Sequence, residues 1–359
     1  MRPVYWLYLL APVALVLELI DASSALIFAT SSLAVVPAAA MMGEATEQLA
    51  TRSGPGVGGF VNVTFGNAPE LIIAVFALAD GLQEVVKASL VGSVVGNALL
   101  VMGASMLTGG WRRERQRFHP TAARAQAGML LVTVLALSLP SVIQIARDVG
   151  LPTPTDVRLG VSGDIEGVSI AVSVVLIVTY AAGLFFSLRT HRDIFNPQAE
   201  QHDVAEAWTT RRSVTTLALA GALVAGMSDL LVGSIEQASH DIGLTQFFVG
   251  AFVVAIVGNA AEHYVAVVAA AKNKIELSVN IAIGSSAQIG MFVTPVLVLL
   301  SFVVGPAAMG MVFNGYELAA LLAAGLATSA VVSSGESTWY EGLQLLSLYV
   351  VVGIVFYAA

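Results

Sequence analysis

The sequence predicts an all-α integral membrane protein of about eleven transmembrane helices, one N-terminal helix followed by two inverted five-helix repeats. Composition, the length of the apolar runs and one internal repeat at constant offset predict it. Of 359 residues, 57% are hydrophobic and only 11% are charged, whereas an average soluble domain is about 25% charged. A bilayer-spanning helix needs about 20 apolar residues, and the chain supplies such runs repeatedly. The absence of cysteine excludes disulfides, thiolate metal sites and a cysteine nucleophile. The formal charge of −8 is not gathered in a tail, so neither nucleic-acid binding nor a polybasic lipid anchor is expected.

Apolar windows and chain breakers place the spans in order. They fall near 4–20, 23–46, 57–80, 84–108, 122–145 and 167–188, then near 213–238, 246–271, 276–304, 314–332 and 339–358. The first, behind Arg2, also fits a signal peptide, but the topology works best if it is kept. The non-spanning stretch 146–166 carries Pro152, Pro154 and Asp156. The polar stretch 189–212, with Glu200, Asp203 and Glu206, reads as a solvated cytoplasmic connecting helix. The organisation is thus a first helix over 1–22, repeat one over 23–188, the connector over 189–212 and repeat two over 213–359.

Cytoplasmic loops carry excess Lys and Arg. Eleven spans divide the 16 basic residues 13 against 3, with only Lys87, Arg147 and Arg158 on the minor side. The N-terminus is therefore expected in the cytoplasm and the C-terminus outside. Abundant Ala and a large excess of Arg over Lys suit a bacterial plasma membrane.

Gly66-Asn67-Ala68-Pro69-Glu70 recurs as Gly258-Asn259-Ala260-Ala261-Glu262, at an offset of 192. The same offset carries Glu44 to Glu236, Phe60 to Phe252, Glu84 to Glu276 and Gly92-Ser93 to Gly284-Ser285. Each copy holds five spans, an odd number, so the copies enter the membrane from opposite sides. Inverted repeats of this kind place substrate near the bilayer midplane, where broken helices meet. Glu70 and Glu262 each lie about one turn from the midpoint of a span.

A carboxylate within a span costs at least about 2.5–3.5 kcal/mol, which makes it a functional candidate. No basic residue falls inside the third, fourth, eighth or ninth span except Lys87 at a rim, so structural pairing is disfavoured. Pro69 offers no N–H to the Phe65 carbonyl, and Gly66 and Gly258 permit irregular or close backbone. Freed carbonyls, the Asn67 and Asn259 amides and two carboxylates form an all-oxygen set. Hard cations such as Ca²⁺ take about 6–8 oxygens. Burial favours the protonated form of a carboxyl and a bound divalent cation the ionised form. Two clustered glutamates would then hold either protons or one Ca²⁺, which with alternating exposure is enough for antiport.

Spans four and nine carry matching polar stripes, Ser89, Ser93 and Asn97 against Asn280, Ser285, Ser286 and Gln288. Small polar residues also serve helix packing; Asn97 and Gln288 are expected at the ion site. Glu44 and Glu236 lie toward span ends, as a gate or pathway or as solvated acids. His263, next to Glu262 in sequence, points to a different face, as a packed histidine or a proton relay.

With these residues in hand, the chain resembles the calcium/proton exchanger family of the cation/Ca²⁺ exchanger superfamily over nearly its whole length. The motifs are Gly43-Glu44-Ala45-Thr46-Glu47, Phe65 through Leu71, Val257 through His263, and Gly284 through Ile289. The resemblance implies Ca²⁺/H⁺ antiport by alternating access, the first two helices of each repeat moving against a core. Glu70 and Glu262 would bind Ca²⁺ and exchange protons, with Asn67, Asn259, Asn97, Ser93, Ser285 and Gln288 around them. Gly96 stands where the family often has Ser, and Gly290 where Ala is common. The connector is shorter and less acidic than in some relatives, so a Ca²⁺-sensing role is not carried over.

The expected partners are Ca²⁺, H⁺ and the lipid bilayer, with a homo-oligomer left open. No cofactor is expected, Ca²⁺ being transported substrate. A sodium-coupled Ca²⁺ exchanger of the same fold is the nearest rival, but such proteins resemble a pattern with Thr or Ser where this chain has Ala68 and Ala260. An antiporter for Mn²⁺ or another divalent cation has nearly the same ligand types. An intramembrane enzyme is not expected: there is no two-histidine zinc motif, no Ser/His pair in adjacent spans and no phosphate-binding glycine loop.

Overall fold

The computed structural model describes residues 3–154, 163–190 and 207–359. Eleven α-helices are described: α1 Leu10–Leu19, α2 Ser24–Gly66, α3 Ala68–Ala79, α4 Gln83–Gly110, α5 Pro120–Ala146 and α6 Gly163–Phe185. They continue as α7 Thr210–Ile242, α8 Gln246–Ala271, α9 Ile275–Leu300, α10 Gly315–Val332 and α11 Trp339–Ala358. Among the described residues, nine helices are long and apolar enough to cross a membrane, and two shorter apolar ones cover Trp6–Leu19 and Ala68–Ala79. Residues 191–206, most of the predicted connector, lie outside the described residues.

The helices sort into two compact units, each drawing on both sequence repeats. Unit one is Met1–Asp80, Ala181–Gln246 and Val257–Ala261; unit two is Gly81–Tyr180, Phe247–Ile256 and Glu262–Ala359.

In unit one, α2 packs along α7, and α1 and α3 lie against them. Ala38, Met42, Ala68, Ala220 and Val224 form a buried cluster. Small residues dominate it, so the backbones approach closely, as helices in lipid do where no hydrophobic effect drives them together. The helical run of α2 holds 43 residues, about 65 Å if straight and twice the hydrocarbon thickness. It is not straight. A Cβ at Gly58 would meet the backbone carbonyl of Ala50, residues that a straight helix holds about 12 Å apart. The run therefore folds back between them, which keeps the predicted second and third spans as separate crossings. The third is itself interrupted at Asn67, between α2 and α3.

In unit two, α4 crosses the start of α8, and α10 packs on α5. A Cβ at Gly92 would overlap the backbone carbonyl of Ala251, so only glycine permits that crossing. Phe247 stacks on Phe356, ring centroids 4.7 Å apart. Helix starts are capped locally. Asn314 and Glu317 form a reciprocal capping box on α10, as Thr338 and Glu341 do on α11, satisfying donors that a helix end leaves open. Among the described residues, the only strands are a two-residue ladder, β1 Gln116–Arg117 with β2 Glu336–Ser337. Nothing in the sequence pattern anticipates it.

The segment between α9 and α10 is irregular yet buried at Met309, Met311, Val312 and Phe313. Irregular backbone at this depth needs partners, and side chains supply them. Ser301, Ser169 and Ser141 hydroxyls accept the N–H groups of Met309, Met311 and Phe313 at 2.8, 3.0 and 2.9 Å. Gln83 donates to the Ala307 carbonyl at 2.6 Å, and Lys87 to the Val312 carbonyl at 3.0 Å.

Candidate ion-binding site

The candidate residues fall into two groups, one in each unit. In unit one, the chain leaves the helix at Asn67 (φ −96°, ψ 19°) and re-enters it at once, with Pro69 in the first turn of α3. Pro69 has no N–H to offer the Phe65 carbonyl, so the ladder stops there. Glu70 sits in the first turn of α3, where the helix end carries partial positive charge. Its side chain is 9% exposed, and Asn67, Pro69 and Asn259 are buried too. A Cβ on Gly258 would lie 3.1 Å from Glu70 Cγ, so glycine makes room for the carboxylate stem. Around Gly66 the same construction meets nothing within 4 Å, and the expected close approach is absent there.

In the second copy of the motif, α8 runs unbroken through Asn259, which belongs to unit one, and on through Glu262 and His263, which belong to unit two. The Ser285 hydroxyl on α9 donates to Glu262 Oε2 at 2.5 Å. His263 Nε2 lies 3.1 Å from Asn97 Oδ1 on α4; although it points away from Glu262 by sequence position, it reaches a residue of the predicted site. Ser286 bonds to the Val94 carbonyl at 3.1 Å and ties α9 to α4. Ser93 and Asn97 are buried, and Gln288 is half-buried. Glu44 is half-buried on α2, whereas Glu236 is exposed on α7.

Three helices carry π turns at these places: Gly96–Val101 in α4, Val249–Val254 in α8 and Ile289–Val293 in α9. A π turn inserts one residue and loosens the carbonyl ladder, and such turns recur at functional sites. Asn97 lies in the first, and Gln288 immediately precedes the third. Hydropathy does not register a one-residue insertion. The available signals are Gly96 and Gly290, the two departures from the family pattern, which both fall inside π turns.

Among the described residues, no three His, Cys, Asp or Glu side chains converge as a ready metal-ligand group. Bound cation would then depend on neutral oxygens beside the carboxylates, as an oxygen-rich Ca²⁺ site permits. Sequence reasoning also misses a buried ionisable group in unit two. Lys87, expected at a rim, is buried and ion-paired to Glu84 at 2.5 Å, and Glu317 is fully buried.

Residues 23–189 and 212–358 match the sodium/calcium exchanger protein family. The chain belongs to this family, among its calcium/proton exchangers. The Ca²⁺/H⁺ antiporter of Synechocystis sp. is 42% identical over 352 residues, 92% of this chain and 90% of its own. The Ca²⁺/H⁺ antiporter ChaA of Bacillus subtilis is 40% identical over 351 residues, 96% of each chain. The solved structure of native YfkE superposes with a TM-score of 0.84 at 36% identity, over the full length of both chains. As a member of this exchanger family the protein is a multi-pass membrane protein, in agreement with the eleven mostly apolar helices among the described residues.

Proposed function

We propose that this exchanger is a secondary active antiporter that exchanges Ca²⁺ for H⁺ by alternating access. The observation that carries the reading is the repeated Gly-Asn-Ala-x-Glu motif, within a chain 42% identical to a Ca²⁺/H⁺ antiporter. In both copies its glutamate lies on an apolar helix, and Glu262 has the neutral Ser285 hydroxyl as a donor. Glu70 and Glu262 are assigned as the carboxylates that hold either Ca²⁺ or protons. Asn67, Asn259, Ser93, Asn97, Ser285 and Gln288 supply neutral oxygens or orient the carboxylates. Competition follows from charge: Ca²⁺ needs the carboxylates ionised, whereas without a cation two buried negative charges are costly and protons relieve them.

The domain plan supported by the repeat is one helix over 1–22, two repeats over 23–188 and 213–359, and the connector over 189–212. The 13-to-3 split of basic residues supports a cytoplasmic N-terminus and an outside C-terminus. The bacterial relatives support a plasma membrane location. No bond-making or bond-breaking step is assigned to any residue.

The test is reconstitution in liposomes with a pH gradient and no sodium, following internal Ca²⁺ and pH together. Ca²⁺ accumulation with matching proton efflux is expected. Flux that appears only when Na⁺ is supplied would move the protein to sodium-coupled exchange. Glu70→Gln and Glu262→Gln should each reduce exchange to background while the detergent-extracted protein keeps its elution volume and helix content. Near wild-type transport by either variant would refute the assignment.

A further inference from the structure

The transport reading leaves one group of buried ionisable side chains unused. Glu84 and Lys87 lie in the first turns of α4, and Glu317 in the first turn of α10. Glu84 Oε1 is 2.5 Å from Lys87 Nζ, with side chains 16% and 8% exposed, and Lys87 also donates to the Val312 carbonyl. Glu317 is 0% exposed and lies within electrostatic reach of both. Its Oε2 accepts the Asn314 N–H at 2.8 Å, while its Oε1, equally buried, meets no donor among the described residues.

Charge counting sets the problem. Two carboxylates face one ammonium, which leaves one negative charge in excess at a buried position. Isolated buried charge is neutralised by a proton or a counter-ion rather than tolerated. Among the described residues, the elements packed against α10 do not supply the missing charge. Against α10 pack α4, α5, α11 and β2; Glu336 of β2 is paired with Arg115 and Arg117 past the far end of α10, and beyond Glu84 and Lys87 the other charged residues on these elements are Arg124 and Glu341. Arg124 binds the Ser333 carbonyl past the far end of α10, and Glu341 is engaged in capping α11 at Thr338. Neither faces Glu317.

We propose that Glu84, Lys87 and Glu317 form a second proton-binding site, holding one exchangeable proton that must be taken up and released during proton-coupled transport. The proton resides on the Glu317 carboxyl and exchanges with water on the side of Glu84, the most exposed of the three. Burial retains it. Lys87 and the positive ends of α4 and α10 oppose it, so it is exchangeable rather than permanent. When it leaves, the cluster carries one negative charge, held against Lys87, and no bond other than O–H is made or broken. The requirement for this proton in transport rests on the antiport reading; the existence of the site does not.

The test separates two transport modes of reconstituted full-length protein. Proton-driven Ca²⁺ uptake needs proton turnover, whereas exchange of internal Ca²⁺ for isotopically labelled external Ca²⁺ does not. Glu317→Gln, a neutral isostere, should slow proton-driven uptake about a hundredfold, the lower range for loss of a proton-transfer group, and flatten its pH profile. Its Ca²⁺/Ca²⁺ exchange should match wild type. Wild-type uptake with an unchanged pH profile would overturn the proposal, as would equal loss of both modes in folded protein. Should Glu317→Gln fail to fold, infrared spectra of the Glu70→Gln/Glu262→Gln double variant decide. A deuterium-sensitive protonated-carboxyl band at neutral pH that titrates away in alkali is expected, and its absence would overturn the site. If wild type showed no pH-driven uptake, the antiport reading would fail while this infrared result still judged the site.

Discussion

Two copies of one five-residue motif take different backbone paths in this protein. In repeat one the chain breaks at Asn67, and Glu70 opens a new helix; in repeat two α8 continues through Glu262 without interruption. One residue accounts for it. Pro69 withholds an N–H where Ala261 supplies one, and proline within a helix costs about 3 kcal/mol or more. The consequence is electrostatic. Glu70 gains the partial positive charge of a helix start, whereas Glu262, in mid-helix, has the Ser285 hydroxyl as its donor. A near-symmetric sequence thus gives its two acids unlike backbone surroundings, a helix start for one and mid-helix for the other.

Exchanging the two backbones tests this most severely. Ala261→Pro would remove the 261 N–H from the Val257 carbonyl and break α8 where repeat two is continuous. We expect a large fall in thermal stability, on the scale of about 3 kcal/mol, and loss of Ca²⁺ exchange. The reciprocal Pro69→Ala should leave stability unchanged or raised, and slow exchange about tenfold as the helix closes over Asn67. If Pro69→Ala transported like wild type, the break would be a sequence accident without a part in transport.

Removing the side-chain donor comes next. Hydrogen bonds to charged groups contribute about 1.5–3 kcal/mol, so Ser285→Ala should raise the Ca²⁺ concentration for half-maximal uptake by about tenfold or more. The same truncation at Ser93, its counterpart in repeat one, should do less, because Glu70 has the end of α3 to rely on. Measuring both variants at one pH gives the contrast directly. Equal effects would argue that the two acids are held alike.

The contrast also shows what a sequence can disclose. Span number and order are readable, because an apolar run of bilayer length has few uses outside a membrane, and the offset of 192 joins the two glutamates by spacing alone. Pro69 is readable as a chain breaker. What escapes depends on tertiary register. The pairing of His263 with Asn97 joins residues 166 apart in sequence, and no local pattern encodes it. The π turns leave hydropathy unaltered. Lys87 and Glu317 sit near predicted span ends, where a charge reads as solvated, and the buried segment around Val312 that encloses Lys87 has no signature in hydropathy. Glu44 and Glu236 match by offset, yet one is half-buried and the other exposed.

A smaller effect is expected where the two repeats touch one another's motifs within unit one. Gly258→Ala would bring a methyl group 3.1 Å from Glu70 Cγ, tighter than ordinary contact, so Glu70 must shift by a few tenths of an ångström. Overpacking of this kind costs about 1–3 kcal/mol where the neighbour cannot yield. Glu70 is a flexible side chain, so the lower end applies, and uptake should fall several-fold with little change in thermal stability. Gly66→Ala, its counterpart, meets open space and should be close to silent by the same assay. A strong defect at Gly66 instead would show that backbone freedom, not room for a carboxylate, is what that glycine provides.

The smallest effect lies outside the membrane, where an acid has arginine partners and water. Glu336 bonds to Arg115 at 2.8 Å and Arg117 at 3.0 Å across the short ladder, and the Arg115 bond first, with both positive charges, holds its carboxyl below the usual value. A carboxyl lowered in the folded state stabilises the fold above its unfolded value, about 4.3, and that contribution is lost as pH falls through the folded value. Glu336→Gln should therefore lower Tm slightly at neutral pH, by about a degree or two at most given solvent screening of surface pairs, and added salt should shrink the gap. In acid the variant and wild type should converge. Exchange should be unaffected at every pH, because the carboxyls proposed to titrate in transport lie within the membrane helices, away from this ladder; a shifted transport profile in Glu336→Gln would place proton control at this surface ladder instead.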